Sequence, residues 1–338
     1  MDNTQFHTYK VEERSYISII KREIHKMLVA EGFSAQKVGE VDIVVAELTS
    51  NLVKHADHGG EVIFRLIPDK EDKIFEIFCI DQGPGTNNIQ EKLVDGISST
   101  NTLGQGLGAI KRLTDFFQIY SMNAWGTITY CRKHLTTPAA VIKRPIIIKV
   151  IQQPIRNEKV CGDGYSIIEK KDETRIFVGD GLGHGPHALE AVQEAIAAFK
   201  ECNSELPSDI LRYIHERVRK TRGLVGTIAI LDHSRKKWII GGIGNISTRI
   251  IQGIEYKNYT PHNGIIGLNI PNTMNNHEIE AEKFQSIVMT SDGIQNKWNL
   301  LKYHGILKYD PAILAAAIFK DFGRKTDDMT VLIGKINL

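Results

Sequence analysis

Arg175-Ile-Phe-Val178 runs directly into Gly179-Asp180-Gly181-Leu182-Gly183-His184-Gly185, and Pro186 to Phe199 then reads as a helix. An apolar run ending in one acid hemmed by glycines is a strand end. It can bring a carboxylate, with a backbone carbonyl beside it, up to a cation. Asp-Gly alone is also the commonest turn dipeptide. The weight comes from three similar settings: Asp163 in Cys161-Gly-Asp-Gly164, Asp292 in Met289-Thr-Ser-Asp-Gly293, and Asp327-Asp328 ahead of Met329-Thr-Val-Leu-Ile333. Separated acids of this kind suit hard cations with oxygen ligands. Two such ions can share a bridging carboxylate and a hydroxide that attacks phosphorus in line, without a nucleophilic Ser or Cys.

Around this stretch the chain reads as short strands: 146–152, 165–169, 174–178, 224–231, 237–241, 248–252, 286–289 and 330–336. Helices are expected at about 186–200, 207–220 and 311–320. Many strands with a few long helices predict a sheet-based domain faced by helices. Thr136 to Pro145 carries two prolines and reads as a linker, setting domains at 1–136 and 146–338 with 137–145 between them.

The N-terminal half has a different pattern. Arg14–Glu31 reads as one helix, with apolar residues at Ile17, Ile20, Ile24, Met27 and Leu28. A second, capped by Ser34, carries Val38, Val41, Val44, Val45, Leu48, Leu52 and Val53. That stripe does not account for Glu47 and Asn51, which share another face at i and i+4, with Lys54 one turn on. Strands at 61–67 and 73–80 lead to Asp81-Gln-Gly83-Pro-Gly85. A polar stretch to Gly108 ends in Gly104-Gln-Gly106-Leu-Gly108, which opens a helix expected at 107–116. Glycines before a helix N-terminus expose backbone N–H groups to a phosphate. An acid at a strand end can accept from an adenine amino group, and an amide oxygen such as that of Asn51 suits Mg2+. Taken singly, the first pair is a solvated helix face and each glycine box a turn. No Gly-Lys-Ser/Thr phosphate loop is present.

Composition sets outer limits. At 338 residues the length suggests about two domains. A net charge of +2 makes no electrostatic case for nucleic acid or an anionic membrane. No apolar run approaches the ~18 residues of a membrane span, and Met1 to His7 lacks the pattern of a signal peptide. Cys79, Cys131, Cys161 and Cys202 are too scattered for a zinc site or disulfide framework. A cytoplasmic location is expected.

The order Glu47-x-x-x-Asn51, Asp81-x-Gly83-x-Gly85, Gly104-x-Gly106-x-Gly108 resembles the three boxes of the GHKL ATPase superfamily over about residues 10–133. It is most similar to the anti-sigma-factor serine kinases. The four acids resemble the PP2C-type (PPM) phosphatases of the small bacterial branch over about 145–338. These resemblances imply a two-domain α/β protein. Its first half would be a Bergerat α/β sandwich with helices over one face of a mixed sheet. Its second would be a β-sandwich flanked by helices.

They imply ATP and Mg2+ in the first half. Asn51 would hold the ion and Asp81 would read adenine. Glu47 would orient or deprotonate the attacking hydroxyl, with Lys54 near phosphate and a mobile lid at about 86–103. They imply two Mn2+ or Mg2+ in the second half. Asp180 would bridge them, the Gly181 carbonyl and Asp292 and Asp327 would bind, and Asp163 would bind directly or through water. Asp327 is preferred to Asp328 as the first acid of the family motif. His184 and His187 would be supporting groups rather than ligands. The phosphate-gripping residue stays unassigned.

The implied reaction is hydrolysis of phosphoserine or phosphothreonine on a STAS-domain antagonist of an anti-sigma factor, or a related scaffold. The ATP domain is left as a kinase for the same partner class, as a nucleotide sensor, or as a docking module. A wholly non-catalytic switch is the further alternative. Oligomeric state is open, a dimer included.

Overall fold

The computed structural model describes residues 4–56, 59–69, 72–87, 89, 103–136 and 144–337. The chain divides into two compact units, Thr4–Val141 and Ile142–Leu338. No described helix is long and apolar enough to cross a membrane.

In the first unit, α1 (Arg14–Ala30) buries Ile20, Ile24 and Leu28, a stripe at i, i+4 and i+8. The next helix, α2 (Ala35–His55), starts where the Ser34 hydroxyl accepts from the Lys37 amide at 3.3 Å. Its buried side is Val38, Val41, Val44, Val45, Leu48 and Leu52. With Leu107 and Ile110 of α3 (Leu103–Leu113), these stripes cluster with Val62, Phe64, Phe75, Ile77, Cys79 and Cys131 of the sheet. Each such aliphatic side chain contributes about 1.5–3 kcal/mol by leaving water. The strands are β1 (His7–Val11), β2 (Gly60–Asp69), β3 (Asp72–Asp81), β4 (Phe116–Met122) and β5 (Gly126–His134), in the order β1-β2-β3-β5-β4.

The expected mixed sheet is corrected. Among the described residues every pairing in it is antiparallel, because β2–β3 and β4–β5 are adjacent hairpins and α3 returns the chain for another antiparallel partner. The third helix begins at Leu103 rather than 107, so the Gly104 box lies inside its first turns.

The second unit holds two five-stranded sheets. One contains β7 (Asp163–Glu169), β8 (Glu173–Gly181), β9 (Leu224–Asp232), β10 (Lys237–Ile243) and β13 (His277–Glu280), ordered β13-β10-β9-β8-β7. The other contains β6 (Ile146–Gln153), β11 (Ser247–Gln252), β12 (Glu255–Tyr259), β14 (Ser286–Thr290) and β15 (Met329–Ile336), ordered β12-β11-β14-β15-β6. Helices α4 (Pro186–Glu201) and α5 (Pro207–Arg217) pack on the first sheet. Their Val192, Ala195, Phe199, Ile210 and Ile214 meet Phe177, Ile228, Ile230 and Ile239. Helix α6 (Pro311–Phe322) covers β15 and β6. Strands β8, β9 and β14 are buried almost along their whole length, as central strands covered on both faces must be. One polar tie between the two sheets runs through a glutamine. Gln152 on β6 donates Nε2 to the Asp163 carbonyl on β7 at 3.2 Å and to Thr330 Oγ1 on β15 at 3.0 Å.

Candidate functional site

That tie marks the acid site. Asp163 opens β7 and Asp180 lies one residue from the end of β8, directly opposite it in the antiparallel register. Opposed residues point to the same face, so the pairing itself brings two carboxylates together. Both lie at strand ends, as the sequence suggested. Asp163 is fully buried, and its Oδ2 accepts from Ser291 Oγ at 2.7 Å and Thr330 Oγ1 at 2.8 Å. Burial pushes its carboxyl up to about 7, against those two hydroxyls and with the charges of Asp328 and Asp292. Asp180 is pushed up to about 10, first by burial and then by Asp163, Asp292, Asp327 and Asp328.

Asp292, just past β14, is raised by burial and by Asp327. The Asn245 amide, donating to its Oδ2 at 2.9 Å, and the Arg324 charge hold it back. The neighbouring acids Asp327 and Asp328 have separate tasks. Asp328 is buried, and its two oxygens accept from the amides of Ile155 and Gly162, each at 2.8 Å. Asp327 Oδ1 accepts only the adjacent Asp328 amide at 2.9 Å among the hydrogen bonds described, and its side chain is half-buried. Gly181 is pressed by α4: a Cβ there would run into the Ala188 backbone. His184 Nδ1 pairs with Glu158 Oε1 at 2.9 Å, and His187 sits exposed 3.6 Å from Glu190, so each histidine has an acid partner at the start of α4.

Among the described residues, no three His, Cys, Asp or Glu side chains stand close enough to cage an ion by themselves. The donor set nonetheless fits hydrated divalent cations. It is all oxygen, and Asp163, Asp180, Asp292 and Asp328 are all raised at one edge of the sandwich, where burial and neighbouring carboxylates oppose their ionisation. Mg2+ and its analogues keep several waters and need few protein ligands each.

The second constellation lies in the first unit. Glu47 and Asn51 share a half-buried face of α2, while Lys54 is exposed one turn on. Gly106 lies against Glu47, and a side chain there would collide with the Glu47 carboxylate. The N-terminal turns of α3 are thereby held next to Glu47. Asp81 closes β3, and its Oδ1 accepts from the amides of Gly83 at 2.8 Å and Thr127 at 3.1 Å. A Cβ on Gly83 would lie 2.7 Å from the His55 carbonyl. Gly85 has φ +61°, and a Cβ would strike the Met122 carbonyl. Gly104 and Gly108 lie on α3, where a Cβ at 108 would stand 3.2 Å from Arg112 Nη1. Of the lid expected at 86–103, only Thr86, Asn87, Ile89 and Leu103 fall within the described residues.

Sequence reasoning missed several supporting groups. Ser291 and Thr330 stand beside named acids, so a hydroxyl flanking each motif was an available signal. Thr127 follows a glycine with φ +112°, whose Cβ would meet the Asp81 carbonyl. Gln152 and Asn245 carried no local signal at all.

Comparison with known proteins finds relatives for both halves of the chain. A model described as "Histidine kinase-like ATPase domain" matches residues 12–133, and one described as "Stage II sporulation protein E (SpoIIE)" matches residues 170–337. The serine/threonine-protein kinase RsbT of Bacillus subtilis (strain 168) is 30% identical over 110 residues, which are 32% of this chain and 82% of that protein. A structure titled "The bacterial stressosome: a modular system that has been adapted to control secondary messenger signaling" is 25% identical. It has a TM-score of 0.52 and covers 56% of this chain and 100% of its own. RsbX in complex with magnesium shares the fold at 19% identity and a TM-score of 0.51, covering 57% of this chain and 96% of its own. The chain therefore belongs, over its ATPase domain, to the family of the serine/threonine-protein kinase RsbT, and a SpoIIE-type domain with the fold of RsbX follows it.

Proposed function

We propose that this protein removes phosphate from phosphoserine or phosphothreonine on a STAS-domain partner, and that its ATP-binding domain phosphorylates the same class of partner. The observation that carries the first half is the Asp163–Asp180 cross-strand pair, with Asp292 and Asp327 bearing on the same point. In this reading Asp180, the Gly181 carbonyl, Asp292 and Asp327 hold two Mn2+ or Mg2+, and Asp163 binds directly or through water. When bound, the ions neutralise the phosphoryl oxygens and supply a hydroxide near neutral pH. The chain's own work is orientation. Ser291 and Thr330 aim Asp163, Asn245 aims Asp292, and the Asp328 amide aims Asp327. Asp328, bound to two backbone amides, anchors the segments carrying Ile155 and Gly162.

For the first domain, Asn51 binds the Mg2+ of ATP, Asp81 accepts from adenine, and Gly83, Gly85, Gly104, Gly106 and Gly108 let backbone approach the nucleotide. Glu47 acts as the base toward the partner's hydroxyl, with Lys54 near phosphate. The partner class rests on the kinase relative and the stressosome neighbour. The test is phosphate release from a phosphorylated STAS-domain protein with Mn2+, Mg2+ or chelator. Release that depends on added metal supports the assignment, and equal release in chelator overturns it.

A further inference from the structure

Two segments leave the acid site side by side. One continues from Asp292 as Gly293-Ile-Gln-Asn-Lys297, and the other, Phe322-Gly-Arg-Lys-Thr326, leads into Asp327. Backbone bonds lace them: the Arg324 amide donates to the Gly293 carbonyl at 2.8 Å, and the Gln295 amide donates to the Phe322 carbonyl at 2.9 Å. Between them lies a cavity of ≈ 510 Å3 lined by Gln295, Asn296, Lys297, Gly323, Arg324 and Thr326. These ten residues carry Lys297, Arg324 and Lys325 and no acid, next to a site crowded with carboxylates.

The walls are built rather than loose. Arg249 of β11 is buried, donates to the carbonyls of Asn296 and of Trp298 (3.0 Å to the latter), and lies 4.1 Å from the Trp298 ring centroid. With both flanking carbonyls held from inside and Trp298 buried, Lys297 projects outward. On the other wall Lys325 takes φ +59°, a left-handed conformation uncommon for a lysine. Arg324 is exposed, yet its charge reaches Asp292.

We propose that this groove seats the phosphorylated segment of the protein substrate, with the Arg324 guanidinium gripping the phosphate and Lys297 attracting the anionic chain. The inference rests on the phosphatase reading and supplies the basic group that the acid motifs lack. A guanidinium matches phosphate oxygens through two parallel N–H bonds, and a lysine acts as a point charge. A cationic wall beside a metal site also raises encounter rates with a phosphoprotein, in a way salt suppresses.

The experiment measures binding separately from turnover. The full chain with Mn2+ is titrated into a fluorescein-labelled peptide carrying a non-hydrolysable phosphonate analogue of phosphoserine. Anisotropy is read at low and high salt, and Mn2+ affinity is measured by calorimetry for each variant. Arg324→Ala should weaken peptide binding about tenfold or more, the loss of a charge-assisted pair. Arg324→Lys should recover part of it, and Lys297→Ala should lower affinity about threefold and flatten the salt dependence. Mn2+ affinity should stay unchanged in all three. In turnover the loss should appear in KM and not in kcat. Unchanged peptide affinity in Arg324→Ala overturns the proposal. So does a loss matched by an equal loss of Mn2+ affinity, since Arg324 would then act only by positioning Asp292. A wild-type chain that binds the phosphonate in this pattern but hydrolyses no phosphoprotein would sink the phosphatase reading and leave the groove standing.

Discussion

The two candidate sites are built from opposite materials. The acid site of the second unit is made of side chains: five carboxylates, four of them oriented by Ser291, Thr330, Asn245 and three backbone amides. The candidate nucleotide site of the first unit is made largely of side chains left out. Gly83, Gly85, Gly106 and Gly126 each stand where a Cβ would press on a carbonyl or carboxylate. One site concentrates buried negative charge that calls for cations. The other keeps open backbone that calls for a ligand bringing its own phosphates. Substitutions should therefore fail differently. In the acid site, chemistry should be lost while the metal-free fold is relieved. In the nucleotide site, binding and transfer should separate.

The sharpest test of that contrast is Asp180→Asn. Phosphate release should fall at least about a hundredfold, since charge stabilisation at a metal site is worth several kcal/mol. Meanwhile the melting temperature of the chelated protein should rise, because the substitution removes the carboxylate most crowded by its neighbours. A chelated variant that melts lower than wild type would mean the carboxylate supports the fold, and the contrast would break.

Glu47→Gln comes next and is made in the Asp180→Asn background, so that the phosphatase cannot erase the product. ATP binding should persist while transfer to a STAS-domain serine falls about a hundredfold, within the range for loss of a general base. Equal transfer with and without the substitution removes Glu47 from the chemistry. No transfer by the Asp180→Asn chain itself would make the domain a nucleotide sensor.

Asp81→Asn should weaken adenine-nucleotide binding by about ten- to a hundredfold. An asparagine oxygen can still accept from the Gly83 and Thr127 amides, so the unit should stay folded. Calorimetric titration with ATP checks the affinity, and circular dichroism checks the fold. Unchanged affinity would reduce Asp81 to a turn brace.

The smallest effect concerns a histidine outside both sites. His215 on α5 is buried, and its Nδ1 accepts from the Gly267 amide at 2.9 Å, so the neutral ring is the one that fits. Burial lowers its pKa, with Arg219 and Arg212 adding and Glu216 opposing. A lowered folded pKa means the unfolded chain takes up the proton first as pH falls. Stability should therefore drop on acidification from about pH 6.5 downward, the ordinary histidine value. In His215→Gln that part of the slope should vanish in melts recorded between pH 7.5 and 5.5. An unchanged slope would assign the acid sensitivity to other groups.

Much of this was legible in the chain. Periodicity placed α1 and α2 because their apolar stripes repeat at helical spacing, and those stripes are the buried ones. The acids and glycines stood out because few structures need Asp-Gly at three separated strand ends and an Asp-Asp pair at a fourth. Less visible were β1, β12 and β13: five residues or fewer each, with little apolar alternation, and recognisable as strands only by the partner they join. The start of α3 also shifted, since glycines argue against a helix locally and yet lie within its first turns.

By itself, the sequence determined which residues could do chemistry: hard oxygen donors, a carboxylate and amide on one helix face, and glycines that admit close backbone approach. Those are properties of residue type and short spacing. Only the tertiary structure decided which groups meet. The register of β7 with β8 opposes Asp163 and Asp180, and the β6–β7–β15 contacts bring Ser291 and Thr330 onto Asp163. It also gave adjacent Asp327 and Asp328 different tasks. Asp328 is bound by the amides of Ile155 and Gly162, residues more than 160 positions away, as the separations of 173 and 166 show. No local pattern encodes such partners, because they are set by the packing of whole sheets.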